Sequence, residues 1–456
     1  MHSPRKWQQA AHVDYIQRST YGLKDYLAYV APSSGKTYFA LRAAKQLLDD
    51  SEIKRVVVVV HTTNLQRQWI SEARKFGIAL QNRFDKRGFV TTYQELGKSK
   101  NANACHQMTG GAKETLVVLD EIHHASDKKT WGSGVRSAFR ASWRRLLLSG
   151  TPFREDGEAL PFIDYIDGVA HPHFVYGYAD ALADGVVAPV YFPSYGGKAS
   201  WTFGDSEVYE YTSTAGLAKA QQDRHLNTLI ASPKWLKKVL GDASEKVDEL
   251  RKVQPNAAGL VVARDQPHAK QILNILKRMK RKAQIAISDE PKSHQTIVDF
   301  RTSDDEWLVA VRMVSEGVDI PRLRVGAYAT NIRTELFFRQ FVGRATRISN
   351  NFAGDQSAFV YIPDHQLLKK FARDLGLDRL STIGECVEPE HRGPNGSVVN
   401  FTNTIGATAV TAVERVAVQS EFTASELARA RRVKEETRQM HVPTETVARL
   451  LRGVRP

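Results

Sequence analysis

Three short apolar runs in the first 150 residues restrict the fold more than any other feature of the chain. They are RVVVVV (residues 55–60), TLVVLD (115–120) and RLLLSG (145–150). Each is bounded by polar segments and shows no alternation of apolar and polar residues, which is typical of strands buried on both faces of a parallel sheet. Since parallel strands are joined by crossovers that are usually helical, the stretches between the runs are expected to be helices.

A second series of such runs follows in the second half of the chain: AAGLVVAR (257–264), AQIAISD (283–289), WLVAVRM (307–313) and SAFVYIPD (357–364). Between the first two, PHAKQILNILKRMK places Ile272, Leu273, Leu276 and Met279 at the spacing of one buried helix face. The chain is therefore predicted to be an α/β protein with two parallel-sheet lobes. We expect a first lobe at 1–166, a connector at 167–223, a second lobe at 224–364 and a small, mostly helical basic extension at 365–456.

Composition narrows the class of protein. The longest strongly apolar run, VVVVV, is far shorter than the roughly 20 residues of a membrane-spanning helix. The only cysteines, Cys105 and Cys386, exclude a disulfide framework and a four-thiolate zinc site, and they favour a reducing cytoplasm. A formal net charge of +14 favours a polyanionic partner such as nucleic acid, although an excess of base also serves solubility.

The segment VAPSSGKT (30–37) has the ending of a phosphate-binding loop. An apolar strand pattern, DYLAYV, precedes it and a helical pattern, FALRAAKQLL, follows, so its backbone N–H groups would point at nucleotide phosphates. Lys36 would neutralise the β- and γ-phosphates and the Thr37 hydroxyl would bind Mg²⁺. By itself, a chance Gly-Lys-Thr turn is an equal alternative.

Two carboxylates, Asp120 and Glu121, come directly after the run VVL within VVLDEIHHAS. At the carboxyl end of a parallel strand, where ligands bind in open α/β sheets, one carboxylate would hold Mg²⁺ through water and the other would polarise the attacking water. Asp120 is the predicted Mg²⁺ ligand. A zinc site that uses the neighbouring histidines has poor ligand spacing.

In this order, VAPSSGKT, DEIH and LLSGTPFRED resemble motifs I, II and III of the superfamily 2 DEAD/DEAH-box-like helicases and translocases. Six further segments resemble other elements of that group: RKWQQAA the adenine-recognition element, HTTNLQRQW motif Ia, FVTTYQEL the Thr-Tyr-Gln element, GLVVARDQPHA motif IV, VSEGVDIPRL motif V and FFRQFVGRATR motif VI. The resemblance spans roughly residues 5 to 364 and implies two tandem RecA-like lobes. DEIH, GTPFRED and TYQEL favour the type III restriction, RecG and XPB-like end of the group, and the compact length favours its phage or bacterial members.

The resemblance assigns roles to individual residues. Those implied to bind the nucleotide are Arg5, Trp7, Gln8, Ser33, Ser34, Gly35, Lys36, Thr37, Gly317, Asp319 and Gln340. Those implied to contact nucleic acid are Thr62, Thr63, Thr91, Thr92, Arg264 and Ser315, although Thr and Ser at strand ends are also common helix caps. Ser149 and Thr151 would couple the two sites. Trp69, Trp131, Trp143 and Phe338 either stack on bases or belong to the core.

Motif VI supplies Arg344 and Arg347, which resemble the arginine fingers of the group, projected from a helix of the second lobe. Positive charge placed on a transferring phosphoryl group accelerates a reaction with little covalent chemistry of its own. With Lys36, Asp120 and Glu121, these arginines are the predicted catalytic residues. ATP would then hold the lobes together and hydrolysis would release them, which converts chemical energy into movement along a strand.

One departure from the group lies in the loop itself. Ser33 stands where family loops often carry glycine, so it must adopt the tight backbone of that position or shift it. Because Gly35, Lys36 and Thr37 are kept, we expect hydrolysis to survive.

Three functions stay open on the sequence alone. The favoured one is an ATP-dependent, Mg²⁺-dependent helicase or translocase acting on single-stranded, duplex or branched DNA, with an RNA helicase as the variant. The second is the motor subunit of a restriction, repair or replication complex that binds a protein partner through the C-terminal extension. The third is an ATP-gated nucleic-acid clamp that does not unwind. The extension itself, with SELARARRVKEETRQM, is predicted either to grip duplex phosphates or to be a solvated helix.

Overall fold

Two parallel sheets, one in each half of the chain, organise the protein. The structure is a computed structural model and describes residues 3–109, 114–126, 129–150, 159–166, 169–203, 207–211, 217–287, 293–311, 320–349, 354, 356–377 and 408–416. Contacts divide the chain into a first unit that extends to Ala181 and a second unit that begins at Leu182. Within the described residues, no helix is long and apolar enough to cross a lipid bilayer.

The first unit contains a six-stranded sheet in the order β3-β2-β4-β5-β1-β8, in which every pair is parallel. Its described elements are α1 (Lys6–Thr20), β1 (Asp25–Val30), α2 (Lys36–Asp49), β2 (Arg55–Val60), α3 (Thr63–Lys75), β3 (Gly88–Thr92), α4 (Tyr93–Leu96), α5 (Ser99–Met108), β4 (Thr115–Asp120), a 3₁₀ helix (Ile122–Ser126), α6 (Lys129–Phe139), β5 (Arg144–Ser149), β6 (Tyr165–Ile166), β7 (Val169–Ala170), β8 (Phe174–Tyr176) and α7 (Tyr178–Ala183).

Burial on both faces explains why β2 is an unbroken run of valine. Val56 to Val60 are all at most 1% exposed, and Val58 pairs with Val90 on one side and Val118 on the other. Helix α2 contributes Phe39, Ala40, Ala43, Ala44 and Leu47 to the buried set, at the i, i+1, i+4 spacing of one helix face. The three runs predicted to be strands in this half of the chain are confirmed as β2, β4 and β5.

The second unit has a sheet in the order β11-β10-β16-β15-β12-β14-β13, whose members from β10 to β13 pair in parallel. Its described elements are β9 (Val190–Tyr191), β10 (Ser194–Phe203), β11 (Glu207–Tyr211), α8 (Lys219–Ala231), α9 (Pro233–Arg251), β12 (Ala258–Ala263), α10 (Gln266–Arg278), β13 (Ala283–Ala286), α11 (Ser293–Thr302), β14 (Trp307–Ala310), β15 (Leu323–Ala329), α12 (Glu335–Ala345), β16 (Ala358–Pro363), α13 (Gln366–Leu377) and β17 (Thr408–Val416).

Close packing in the second unit depends on one glycine in β12. A Cβ built on Gly259 would lie 2.3 Å from the Trp307 ring, so only glycine lets this indole lie flat against the neighbouring strand. The Trp307 Nε1–H donates to Ser244 Oγ at 3.1 Å from a fully buried position. With the parallel order of β12 to β16, this core confirms the predicted α/β class with two parallel sheets.

The structure adds two features to the predicted organisation. The division between units lies at Ala181, inside the predicted connector, because β10 in that segment pairs with β16 of the second sheet. Strand β17 pairs antiparallel with β10 and lies in the extension that was expected to be mostly helical. Its sequence, TAVTAVERV, is rich in β-branched residues that favour strands. The four-part division stays a prediction, and the basic segment SELARARRVKEETRQM lies outside the described residues.

Candidate active site

The phosphate-binding loop occupies the turn between β1 and α2, and its backbone suits an anion. Gly35 is the N-cap of α2 with φ +93°, and no side chain caps the first turn of that helix. Ser33 adopts the left-handed region with φ +66°, so it takes the backbone that glycine usually supplies at this position. The Ser34 hydroxyl is buried and has no hydrogen-bond partner among the described residues. Uncapped N–H groups and an unsatisfied hydroxyl fit a bound phosphate.

The predicted adenine-recognition element contacts this loop. The Arg5 Nη1–H and the Trp7 Nε1–H donate to the Ser34 carbonyl at 2.7 and 3.2 Å. The Gln8 Nε2–H donates to the Gly35 carbonyl at 3.0 Å, while Gln8 Oε1 accepts from the Arg5 backbone at 2.8 Å. A Cβ on Gly35 would lie 2.7 Å from Gln8 Nε2, so this contact also requires glycine. The start of α1 therefore holds the phosphate-binding loop by hydrogen bonds to two of the loop's backbone carbonyls.

An ion pair joins the loop to the end of β4. The Lys36 ammonium donates to Glu121 Oε1, and Lys36 is buried while Glu121 is partly exposed. Burial acts to raise the pKa of Glu121, but the nearby Lys36 charge and its hydrogen bond outweigh burial and lower the pKa. Glu121 is thus held in its ionised form, which accepts hydrogen bonds. Its φ of +50° is unusual for a residue with a side chain, and such backbone strain is concentrated at functional sites.

The other carboxylate, Asp120, is almost fully enclosed. Trp69 Nε1–H donates to Asp120 Oδ2 at 2.8 Å, and the Tyr93 hydroxyl donates to the Asp120 backbone carbonyl at 2.9 Å. Burial, followed by the neighbouring charge of Glu121, raises the pKa of Asp120 to about 6. Carboxylate and hydroxyl oxygens are the donors that Mg²⁺ prefers, so Asp120 and Thr37, on the first turn of α2, fit the predicted metal ligands.

The segment after β5 lies beside Glu121 and beside Pro32 of the phosphate-binding loop. The Gly150 N–H points to Glu121 Oε2 at 3.5 Å, and a Cβ on Gly150 would meet the Pro32 ring at 3.2 Å. His123 Nδ1 lies 3.0 Å from Ser149 Oγ, so motif II and motif III make a direct side-chain contact. Thr151 lies outside the described residues.

Sequence reasoning missed a cluster of three histidines at this edge of the sheet. His123 Nε2 and His124 Nε2 lie 3.0 Å apart, and the His61 ring stacks on the His124 ring with centroids 3.8 Å apart. The signal was the adjacent pair in DEIHH, considered only as zinc ligands, together with His61 directly after β2. The cluster connects motif II to the start of motif Ia.

The threonines predicted to contact nucleic acid comprise two helix caps, one further buried residue and one exposed residue. Thr62 is the N-cap of α3 and accepts from the Leu65 N–H at 3.3 Å, and Thr92 caps α4 in the same way through Glu95 at 3.2 Å. Thr91 is buried, and Thr63 is exposed on the first turn of α3. The capping alternative therefore accounts for Thr62 and Thr92, and contact with nucleic acid stays a prediction.

The aromatic side chains considered for base stacking differ in exposure. Trp69 and Phe338 are at most 1% exposed and belong to the cores of their units, which is the ordinary alternative. Trp131 is partly exposed and Trp143 is 51% exposed.

In the second unit, the described site residues follow β12 or lie on and just after α12. Arg264 follows β12 and pairs with Asp265 at 2.8 Å, and Gln340 and Arg344 are partly exposed on α12. Arg347 was expected to project from the same helix, but α12 ends at Ala345, and Arg347 forms an isolated β-bridge with Val187. Burial, with Arg301 as a nearby like charge, lowers the pKa of Arg347 to about 10. The predicted residues Ser315, Gly317 and Asp319 of motif V lie outside the described residues.

Comparisons with known proteins indicate the family of the chain. A family model described as "Type III restriction enzyme, res subunit" matches residues 1–154. An uncharacterized protein of Mycobacterium leprae (strain TN) is 37% identical over 417 residues, which cover 88% of this chain and 68% of that protein. Another of Mycobacterium tuberculosis (strain H37Rv) is 38% identical over 396 residues, 83% of this chain and 64% of that protein, so the chain spans somewhat less than two thirds of this relative.

Two solved structures share the fold. An HsdR subunit fragment of a type I restriction enzyme from Vibrio vulnificus YJ016 has a TM-score of 0.58 at 17% identity, covering 82% of this chain and 66% of that one. The ATP-dependent Type ISP restriction-modification enzyme LlaBIII, bound to DNA, has a TM-score of 0.52 at 14% identity, covering 79% of this chain and 28% of that one. With its ordered motifs, its two parallel sheets and these relatives, the chain belongs to the superfamily 2 helicase-like group.

Proposed function

We propose that the protein is an ATP-dependent DNA motor, a helicase or translocase that couples ATP hydrolysis to movement along DNA or to its remodelling. The observation that carries the proposal is the ion pair between Lys36 and Glu121. It brings the phosphate-binding loop and the acidic end of β4 to one place, as hydrolysis of a nucleoside triphosphate requires. A chance Gly-Lys-Thr turn would have no reason to meet a carboxylate from a strand 85 positions away.

Each residue of this site has a defined task in the proposed mechanism. The loop N–H groups from Ser33 to Thr37 bind the phosphates, and Lys36 neutralises the charge of the β- and γ-phosphates. Thr37 and Asp120 would hold Mg²⁺, and its charge would stabilise the charge that develops on the phosphoryl group. Glu121, kept ionised, orients the attacking water and accepts its proton. Lys36 must exchange its carboxylate partner for the nucleotide, which frees Glu121 for the water.

The second unit supplies the remaining proposed groups. Arg344 and Arg347 are proposed to stabilise the transition state, with Gln340, Gly317 and Asp319 near the nucleotide. Thr62, Thr63, Thr91, Thr92, Arg264 and Ser315 are proposed to contact phosphates of the nucleic acid without regard to sequence.

The net charge of +14 suits any nucleic acid, DNA or RNA. DNA is proposed as the substrate because the structural neighbours include restriction enzymes, one of them bound to DNA. The test is the ATPase rate of the purified protein with single-stranded, duplex and forked DNA and with RNA of equal length. DNA should raise the rate well above the rate with RNA. A rate that no nucleic acid changes would reject the proposal, and stimulation by RNA alone would turn it into an RNA helicase.

A second candidate is a motor subunit within a restriction or repair complex. It is favoured by the family match to a restriction enzyme subunit and by the partial coverage of longer relatives. The strand β17, which pairs with β10, shows that part of the segment beyond residue 365 belongs to the second unit. If this candidate is correct, DNA will stimulate ATP hydrolysis without strand separation, and a partner protein recovered with the chain will restore unwinding. Two cysteines and the absence of a disulfide framework support a cytoplasmic location for either candidate.

A further inference from the structure

Trp69 makes an unusual contact for a buried tryptophan. Its side chain is 1% exposed, and its Nε1–H donates to the carboxylate oxygen Asp120 Oδ2 at 2.8 Å. Among the residues that the structure describes, Trp69 donates the only hydrogen bond to this carboxylate. Hydrogen bonds to an ionised acceptor are roughly twice as strong as neutral ones, so this contact fixes the carboxylate more firmly than ordinary packing.

The two fully buried tryptophans of the second unit donate their N–H groups to neutral acceptors, unlike Trp69. The Trp235 N–H donates to the Tyr195 carbonyl at 3.1 Å, and the Trp307 N–H donates to Ser244 Oγ at 3.1 Å. Both acceptors are neutral groups that must be satisfied because they are buried. Trp69 instead gives its N–H to a carboxylate of the proposed reaction centre, whereas Trp7 gives its own to the backbone carbonyl of Ser34 in the loop. Core packing alone would place an indole at this position but does not require its donor to meet Asp120.

A second donor holds Asp120 from its backbone side. The Tyr93 hydroxyl, fully buried, donates to the Asp120 carbonyl at 2.9 Å. The main chain of Asp120 is therefore fixed independently of Trp69. What the indole adds is the orientation of the carboxylate, with Oδ2 engaged and one carboxylate oxygen left for a metal-bound water.

We propose that Trp69 is a positioning residue for Mg²⁺ capture: its indole N–H holds the Asp120 carboxylate in the orientation that binds the metal of the nucleotide complex. The inference rests on the proposed function, since it concerns the Mg²⁺ of that same site. Removing the outer partner of a metal-ligating group costs about 10- to 100-fold in metal affinity in other sites. Trp69 should therefore affect the part of nucleotide affinity that depends on Mg²⁺ and leave the remainder unchanged.

The test measures binding of a fluorescent ADP analogue to the full chain in excess EDTA and in saturating Mg²⁺. Two variants remove the donor: Trp69→Phe, and replacement of Trp69 by benzothienylalanine, which keeps the indole volume but has sulfur in place of N–H. Trp307→Phe is the matched control, because it removes a buried indole N–H from a neutral acceptor far along the chain. For both Trp69 variants, the ratio of the affinity in Mg²⁺ to the affinity in EDTA should be about tenfold smaller than for wild type. Their affinity in EDTA should stay within about twofold of wild type. The control should keep the full gain.

A second readout separates positioning from packing. In an Asp120→Asn background, replacing Trp69 by benzothienylalanine should cause no further loss of the Mg²⁺-dependent gain, because the carboxylate it acts on is gone. If the isosteric variant keeps the wild-type gain, or if the two losses add, the inference is wrong while the proposed function stands. If the wild-type protein binds no nucleotide in either condition, both are wrong.

Discussion

The two units differ in how their predicted functional residues are held. In the first unit these residues bind one another: Lys36 contacts Glu121, Gln8 contacts Gly35, and Trp69 contacts Asp120. In the second unit, the contacts described for Arg264 and Arg347 are with residues outside the predicted site. Arg264 pairs with its sequence neighbour, and Arg347 lies in a bridge beyond the end of α12.

This difference predicts that one unit mainly determines nucleotide affinity and the other mainly determines the rate of hydrolysis. A set of residues that already contact one another is preorganised for a ligand and should determine affinity. Arginines that act on the transferring phosphoryl group contribute chiefly where charge develops during the reaction, so they should determine rate. Changes in the first unit should therefore weaken nucleotide binding, and changes of the arginines in the second unit should slow hydrolysis at nearly constant affinity.

The largest expected effect follows from Lys36→Ala. The change removes the charge that the proposal places on the β- and γ-phosphates and leaves Glu121 without its ion-pair partner. Affinity for ADP should fall about tenfold or more and hydrolysis about 10²- to 10³-fold, as measured by calorimetric titration and steady-state ATPase assays. Lys45→Ala is the control, because Lys45 lies on the same helix and pairs with Asp49 on the surface. Equal activities of the two variants would contradict the assigned site.

Arg347→Ala and Arg344→Ala test whether the second unit determines the rate of hydrolysis. If these arginines stabilise the transition state, hydrolysis should fall by about 10³-fold while ADP affinity changes by no more than a few fold. The control is Arg278→Ala, an exposed arginine on α10 of the same unit. A loss of affinity as large as the loss of rate would show that the second unit binds the ground state and would remove the proposed division.

Strands buried on both faces were the most predictable part of the fold. RVVVVV and TLVVLD coincide with β2 and β4, because a run of β-branched or leucine residues has few other stable environments. Strand β15 was not predicted, since LRVGAYA contains a glycine and a buried arginine. Arg324 is tolerated there because Gln254, Gln356 and two backbone carbonyls accept its N–H groups, partners that local sequence does not reveal.

The candidate site was predictable where spacing along the chain determines it. The loop and the acidic strand end each have a local signature, so Lys36 and Glu121 were identified before their contact was known. The bond from Trp69 to Asp120 joins positions 51 apart through tertiary packing, and the sequence shows only an aromatic residue on a helix. For Thr62 the sequence left capping and contact with nucleic acid open, and the structure shows that its hydroxyl accepts from the Leu65 N–H.

A smaller effect is expected from Gln8→Ala. The Gln8 amide already braces Gly35 and Arg5, but one N–H and one lone pair remain for adenine. ATP affinity should fall about tenfold, because both the contact with adenine and the support of the loop are lost. GTP affinity should fall about threefold, because only the support of the loop is lost, and competition binding assays measure both. Gln9→Ala, on the exposed side of α1, should leave both unchanged. An equal fall for ATP and GTP would mean that Gln8 only supports the loop.

The smallest effect is expected from Ser33→Gly, which tests whether the first unit is as preorganised as its contacts imply. Ser33 holds φ +66°, a conformation that costs an L-residue about 1–2 kcal/mol, and glycine removes this cost while raising the entropy of the unfolded chain. Because the two terms oppose each other, ATP affinity should rise no more than about threefold and the melting temperature should change little.

Ser51→Gly is a matched control, since Ser51 has φ +57° at the other end of α2, away from the loop. It should have the same small effect on stability and none on affinity. A tenfold rise in ATP affinity for Ser33→Gly alone would show that the native loop is often outside the binding conformation, and the first unit would then not be preorganised for its nucleotide.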